Sequence, residues 1–471
     1  MTKATLIYNA RLLDEAMDTP GAIFITDGKI RAVFQGYFTS SYTVSKLAHS
    51  IMQEDGSEPD CKLEVFDAHG LTVTPAFIDM HVHLRYPGQT QKEDLASGLQ
   101  AAIAGGFGTV VAMPNTSPVV SSIDMALDIE KKAATYGLAH IFQVVSITKN
   151  FEGTDVSHLN MVTPKYIPVI SEDGHDVLSA SVMLDGMRIA AEKNCIVSCH
   201  CEEPSLAVAA RVHRQNALKM MNAVGLSAWG TSDDDETDID NVTLDKIDRE
   251  LTLANALLAV AEDSATERNL QLAELAGCHI HLAHVSTKKS LNEVRRAKAN
   301  CSNPITCEVT PHHLALSGTE EPFIRALVNP PLRSEADRRA LIEGLRDGTV
   351  DVISTDHAPH TFDDKAAGSP GFTGLETAFA VCNTVLVKQN QFAPQRLSQL
   401  MSSNPARILG VNKGLLKAGY DADLTLVDTE EEWVVDSNQF YSRGKATPFE
   451  GETLTGKVHI VFIGGRKVFE K

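Results

Sequence analysis

The chain has 471 residues, 43% hydrophobic and 22% charged. That is a globular composition, which excludes disorder and collagen-like architecture. The length allows about three ordinary domains, or one large α/β barrel with a further module. Lys and Arg number 42 against 61 Asp and Glu, a net charge of −19, which disfavours nucleic acid and other polyanions over the surface as a whole. A small anionic substrate then needs a local cation to receive it. Eight Cys with no CxxC pair exclude a disulfide scaffold and read as reduced thiols. No apolar run approaches the ~20 residues of a membrane span. The N-terminus, MTKATLIYNARLLDEAMD, is charged where a signal peptide needs its apolar stretch. No membrane association and a cytoplasmic location are expected.

In chain order, residues 4–34 predict short strands with a tight turn at TDGK (26–29). Residues 421–428 and 457–470 repeat that alternating, β-branched character, with a second turn at GGRK (464–467). Both ends are expected to build one small β-sandwich domain, 1–70 as its N-terminal part and 409–471 as its C-terminal part. Residues 36–63 read as a polar, irregular insertion. Between the ends, 71–408 alternates apolar strands with helical stretches. The strand candidates are 71–80, 109–113, 139–145, 165–171, 195–199, 278–283, 305–309 and 350–354. Eight strand–helix alternations predict an α/β fold of the (β/α)8 TIM-barrel type, with a doubly wound open sheet as the alternative that spacing alone leaves. No GxGxxG or GxxxxGK[ST] follows any strand, so nucleotide-binding folds lose support. The acidic run 231–240 reads as a solvated surface loop, because it lacks the Gly and Glu of a calcium loop.

A barrel gathers its functional groups at the C-terminal ends of its strands. The first strand ends in His81-Val82-His83, and residues i and i+2 of an extended chain point the same way, so both imidazoles can face one ion. Asp173, in Ser-Glu-Asp-Gly after the fourth strand, is locally as good a helix cap as a ligand. His200 alternates with Cys199 and Cys201, which sends the imidazole to one face and both thiols to the other. Around the sixth strand His279 and His281 read as ordinary strand residues, and His284 sits at the end. For His312 and His313 a loop or supporting role stands level with ligation. Asp356, after the eighth strand, can hold a metal through one oxygen and accept a proton through the other. His81, His83, Asp173, His200, His284 and Asp356 form a nitrogen and oxygen donor set without thiolates, which suits Zn2+. Six donors exceed what one catalytic zinc uses, so one or two ions are expected, with two sharing a bridging carboxylate. Water on such an ion, its pKa lowered to about 7, can attack an amide carbon.

Several segments, in order, carry a resemblance. They are DMHVHLRYPGQTQKEDLASG (79–98), MPNTSP (113–118), CHCEEPSL (199–206), HLAHVSTKKS (281–290), VTPHHLALS (309–317), NPPLR (329–333), STDHAPHTFDDK (354–365) and SPGFTGLETAF (369–379). By these the chain resembles the amidohydrolase superfamily and, within it, the class I dihydroorotases, over nearly its whole length. The resemblance implies His81 and His83 on a more buried metal, His200 and His284 on a second, and Asp173 bridging them. A carbamylated Lys165 is the competing bridge. Asp356 would bind the first metal and act as general acid/base. Arg85 and Asn115 would receive a substrate carboxylate with help from His360, and Asn329 with the backbone at Pro370 and Gly371 would hold the ring amide edges. A planar fork of donors at Arg85 suits a carboxylate better than a lysine does. Tyr86 departs from the family, which usually has an acidic residue before Pro-Gly.

The implied activity is the reversible interconversion of L-dihydroorotate and N-carbamoyl-L-aspartate in pyrimidine biosynthesis. Its partners would be that small-molecule substrate, a second copy of the chain (a homo-oligomer such as a dimer), and a neighbouring pathway enzyme. The rival readings are another cyclic amidase (hydantoinase, dihydropyrimidinase or allantoinase) and a non-catalytic scaffold relative that has lost its ligands. The polar segment 361–371 reads equally as a cover over the site and as a surface loop.

Overall fold

A computed structural model describes residues 3–54, 62–225, 240–318 and 327–471. The N-terminal strands are β1 (Lys3–Leu13), β2 (Asp18–Thr26), β3 (Lys29–Gln35), β4 (Lys62–Asp67) and β5 (Thr72–Pro75). The barrel strands are β6 (Phe77–Val82), β7 (Phe107–Ala112), β8 (His140–Gln143), β9 (Val145–Ser146), β10 (Val169–Ser171), β11 (Ile196–Cys199), β12 (His279–Leu282), β13 (Ile305–Val309) and β14 (Val352–Ile353). Strands β15 (Leu424–Val434), β16 (Thr453–Ile463) and β17 (Arg466–Glu470) end the chain.

Both termini share one mixed sheet, in the order β17-β16-β15-β5-β1-β2-β3 with β4 against β1, as their common alternating pattern predicts. Successive side chains of β1 and β2 supply two apolar layers. Ile7, Leu12, Ile23 and Ile25 pack with Leu424, Leu426 and Phe462 on one face. Leu6, Tyr8 and Phe24 lie on the other.

The expectation of an irregular 36–63 is corrected where the structure describes it: 55–61 lie outside the described residues, and Ser41–Glu54 forms a helix, α1. Its Val44 and Ala48, one turn apart, are buried against Leu6, Tyr8 and Phe24. Two apolar positions per helix are enough where the partner sheet is already apolar, and the polar residues between them hide the period from a reading of the sequence. The single strand expected over 71–80 is likewise two. The Ala76 N–H bonds to Asp423 O at 2.9 Å and the Phe77 N–H to Gly106 O at 2.9 Å, so the chain changes sheets between consecutive residues.

Strands β6, β7 and β8 pair in parallel, as do β9 through β14. β8 and β9 are one run of chain on either side of Val144. A parallel bridge between Val82 and His357 joins the eighth strand end to the first. The ring is a (β/α)8 barrel, and its core is a continuous apolar cluster in which Phe77 stacks on Phe379 at 5.4 Å.

The covering helices begin at side-chain caps. Asp94 caps α2 (Leu95–Ala104), Ser122 caps α3 (Ile123–Ala134) and Ser179 caps α4 (Ala180–Lys193). Glu203 caps α5 (Pro204–Ala223) and Asp240 caps α6 (Asn241–Ala276). Of the acidic run 231–240, only Asp240 falls within the described residues. Among those residues Cys195, Cys199, Cys201, Cys278, Cys307 and Cys382 are buried free thiols, and no helix is long and apolar enough to cross a membrane.

Candidate metal centre and active-site cavity

The barrel brings the six expected donors to one place. His81 is the penultimate residue of β6 and His83 follows that strand, while Asp173, His200, His284 and Asp356 follow β10, β11, β12 and β14. All six are buried, with exposures of 6% or less. Two groups have donor atoms within 4.8 Å of one another: His81, His83 and Asp173, then Asp173, His200 and His284. Asp173 belongs to both. Its Oδ1 lies 3.2 Å from His81 Nε2, 3.6 Å from His200 Nδ1 and 3.9 Å from His284 Nε2, and its Oδ2 lies 3.4 Å from His83 Nε2. Asp356 stands at the edge, its Oδ1 3.0 Å from His83 Nε2 and 3.6 Å from His81 Nε2. Lys165 is not brought here. It is exposed, and its ammonium lies over the Tyr166 ring.

Within the set, His83 Nε2 pairs with Asp356 Oδ1 at 3.0 Å and His200 Nδ1 with His284 Nε2 at 2.9 Å, but other donor atoms find no partner. His81 Nε2, Asp173 Oδ1 and His200 Nε2 are buried with no hydrogen-bond partner, an arrangement that costs free energy unless something else binds them. Converging imidazole nitrogens and carboxylate oxygens fit a divalent cation. Burial works against the charges, yet the His81 imidazole holds the Asp173 carboxyl well below its usual range. Burial likewise opposes ionisation of Asp356, which His83, His81 and His284 hold down to about 2. Both carboxylates are therefore ionised at neutral pH.

The backbone around the centre is strained. Arg85, His284 and Asp356 have φ of 55°, 34° and 48°, left-handed values that cost residues with a Cβ and that concentrate at functional sites. Gly174 follows Asp173 with φ of 80°, and a Cβ there would come within 3.0 Å of Asn115 Nδ2.

Two buried carboxylates that the sequence reading missed hold the centre from behind. Glu308 on β13, wholly buried, accepts from His81 Nδ1 at 2.8 Å, His281 Nε2 at 3.1 Å and the His284 N–H at 3.3 Å. These bonds leave Nε2 as the free face of His81 and give His281 a supporting role. Asp79 accepts from the His81 and Thr355 N–H groups, each at 3.1 Å, tying the first strand to the eighth. Each is a lone charge inside an apolar strand, FIDMHV or ITCEV, which is the signal that could have found it. His313 bonds Thr310 Oγ1 and the Pro330 carbonyl. His312, buried nearby, is in neither donor group.

A cavity of about 220 Å3 opens over the centre, and Arg85, Asn115, Asn329, His360, Pro370 and Gly371 all line it. Arg85 is 8% exposed, and burial draws its guanidinium down to about 10, so it stays charged. Its Nε donates to Pro359 O at 3.2 Å. Lys92 Nζ lies 3.3 Å from His360 Nδ1, while His360 Nε2 lies 2.9 Å from Pro370 O and 3.2 Å from Arg85 Nη2. Lysine can only donate and a carbonyl only accept, so His360 carries its proton on Nε2. Burial and the Arg85 and Lys92 charges push His360 down to about 2, and it is neutral. Arg85 Nη2 therefore faces an N–H, with no acceptor there.

Asn115 also lines the cavity, but its Oδ1 accepts from His83 Nδ1 at 2.9 Å and its Nδ2 donates to Asp173 Oδ2 at 3.3 Å. In the 361–371 segment, Phe362–Ala366 is a short helix. The side-chain nitrogen of Lys365, wholly buried, donates to Leu327 O at 2.7 Å and Gly371 O at 2.9 Å, so this segment is anchored at the cavity wall.

Comparison with known proteins bears on the same residues. The amidohydrolase family profile matches residues 72–468. The dihydroorotase of Clostridium botulinum is 37% identical over 467 residues, 99% of each chain. That of Bacillus cytotoxicus is 37% identical over 472 residues, 99% of this chain and 98% of its own. Among solved structures, an L-hydantoinase (dihydropyrimidinase) from Arthrobacter aurescens superposes with a TM-score of 0.79 at 23% identity, covering 99% of this chain and 96% of its own. A dihydropyrimidinase from Brevibacillus agri gives 0.75 at 20% identity, covering 100% and 95%. At those identities the structures speak for the barrel and its accompanying sheet alone. With the profile spanning the barrel and its donor residues, and relatives matched end to end, the chain belongs to the amidohydrolase family of hydrolases.

Proposed function

We propose that the protein is a dihydroorotase of class I, acting in the cytoplasm on L-dihydroorotate and N-carbamoyl-L-aspartate. The observation that carries this reading is Arg85. A buried guanidinium opens into the same cavity as the donor set, and among the described residues no carboxylate meets it at ion-pair distance. A cyclic amide that bears a carboxylate answers that charge; dihydrouracil, hydantoin and allantoin do not. The full-length relatives named dihydroorotase support the same choice.

His81, His83, Asp173, His200 and His284 would hold Zn2+, one or two ions per chain, with Asp173 shared and Asp356 adjacent. When bound, such an ion polarises a carbonyl and makes water nucleophilic at neutral pH. Arg85 receives the substrate carboxylate, with the neutral His360 beside it, and so fixes the ring over the donors. Asn329 and the backbone at Pro370 and Gly371 hold the ring amide edge. In hydrolysis a bond forms between a water oxygen and the ring carbonyl carbon, and the ring C–N bond breaks. Asp356, ionised beforehand, takes the proton from that water and delivers it to the departing nitrogen. In the cyclising direction it takes the proton from the ureido nitrogen and returns it to the departing oxygen.

The barrel would span 71–408, with 1–70 and 409–471 forming the accompanying domain and two chains forming a dimer. Turnover of L-dihydroorotate, dihydrouracil, hydantoin and allantoin by the zinc-loaded enzyme tests the reading. Dihydroorotate is expected to exceed the others in kcat/KM by at least a hundredfold, and preference for an uncharged ring overturns the assignment.

A further inference from the structure

Asn329 does not stand in the cavity unsupported. Arg214, on α5, donates through Nη1 to Asn329 Oδ1 and through Nη2 to Val328 O at 3.2 Å. Lys365 holds the preceding carbonyl, Leu327 O, at 2.7 Å. Two basic side chains from separate elements thus grip three consecutive residues at the rim. Arg214 does not line the catalytic cavity. It lies in an adjoining pocket that meets the cavity at Asn329, Ser369 and Pro370.

The chemistry of the pair dictates which end of the amide faces the substrate. A guanidinium has five donors and no acceptor, so the atom of Asn329 against Arg214 is oxygen. The amide nitrogen, with two N–H groups, is then the end left for the cavity. We infer that Arg214 is a positioning residue that locks the Asn329 side chain as a hydrogen-bond donor, so that this wall of the site selects a ligand presenting a carbonyl oxygen and rejects one presenting an N–H. The inference rests on the dihydroorotase reading and deepens it: at this edge the enzyme reads a ring carbonyl. A planar guanidinium meets the side-chain oxygen and the main-chain oxygen through two nitrogens at a fixed spacing, which the single nitrogen of a lysine does not reproduce. A site built to hydrogen-bond one substrate group discriminates strongly against analogues that cannot pair with it.

The test is a mutant cycle on L-dihydroorotate with Arg214→Ala, Asn329→Ala and the double variant, accompanied by Arg214→Lys and Asn329→Asp. Zinc content and melting temperature report whether each variant keeps the fold and the centre. Arg214→Ala and Asn329→Ala are each expected to lower kcat/KM ten- to a hundredfold, mainly through KM, and the double variant to lose no more than the worse single variant. Arg214→Lys is expected to recover less than half of the loss on a logarithmic scale. Asn329→Asp keeps an acceptor for Arg214 but has no N–H to offer, and is expected to lose as much as Asn329→Ala. Multiplicative losses in the double variant, or an Asn329→Asp enzyme with wild-type kcat/KM, overturn the inference while leaving the function intact. A wild-type enzyme that does not turn over dihydroorotate overturns both.

Discussion

Replacing Glu308 by Gln removes one negative charge and almost no volume from behind the metal centre. In the wild type this carboxylate accepts from His81 Nδ1 at 2.8 Å, His281 Nε2 at 3.1 Å and the His284 N–H at 3.3 Å. Glutamine keeps one acceptor oxygen, which can stay on His81, and the amide nitrogen turns to His281. That ring can exchange tautomers, because its Nδ1 partner, Thr306 Oγ1 at 2.9 Å, both donates and accepts. The packing therefore survives and the charge is what is lost. A hydrogen bond to a charged group contributes about 1 kcal/mol more than a neutral one, and supporting residues of this kind are worth about 10- to 100-fold in metal affinity. The expected loss is about 1.4 to 2.8 kcal/mol of zinc binding. Competition between metal-stripped protein and a chromogenic zinc chelator measures it directly, with the melting temperature of the stripped protein as a control for folding. A variant that is folded and holds zinc as tightly as the wild type refutes the claim that Glu308 sets the basicity and orientation of His81.

Four other expectations follow from the same geometry. Asp173→Asn removes the one side chain common to both donor groups and is expected to reduce zinc per chain to below half of wild type by elemental analysis, while Lys165→Ala, at an exposed position, leaves it unchanged. Arg85→Ala is expected to raise KM for dihydroorotate by at least about tenfold with a smaller change in kcat, in line with the loss of a charge-assisted bond. Glu262→Ala leaves the buried Arg333 without its 3.1 Å partner and the Ser286 and Thr287 N–H groups without their 2.9 Å acceptor; unfolding measurements should show about 3–5 kcal/mol of destabilisation. Burial raises Glu376, which accepts from the Tyr441 and Ser442 N–H groups, from 4.5 to about 7. Its folded form binds a proton more tightly than its unfolded form, so its contribution to stability is full below pH 4.5 and is lost as pH climbs to about 7. Glu376→Gln should flatten the stability–pH curve across that window, and a curve parallel to the wild type would contradict this.

The parts of the molecule that could be read from the sequence were those fixed by local order. The barrel strands are short apolar runs with their chemistry at their ends, and HVH at 81–83 places two imidazoles on one side of an extended chain whatever the tertiary context. Asp173 was locally ambiguous between cap and ligand, and only the convergence of four other elements distinguishes it. The supporting residues were out of reach because their partners are distant. Glu308 lies 227 residues from His81, and Arg214 lies 115 residues from Asn329 on a helix with no motif around it. The helix at Ser41–Glu54 was masked because two buried positions suffice against a sheet. The change of sheets at Ala76 was masked because the strands on either side of it are both wholly buried, which erases the alternation that marks a boundary.

The central claim is that a buried set of His and Asp side chains binds a divalent cation on which ring opening depends. Zinc per chain, measured together with dihydroorotate turnover through cycles of chelation and restoration, tests it most directly. The account predicts at least one tightly held ion per chain, activity that falls in proportion as it is withdrawn, and recovery on its return. Full turnover by protein stripped of all metal would contradict it.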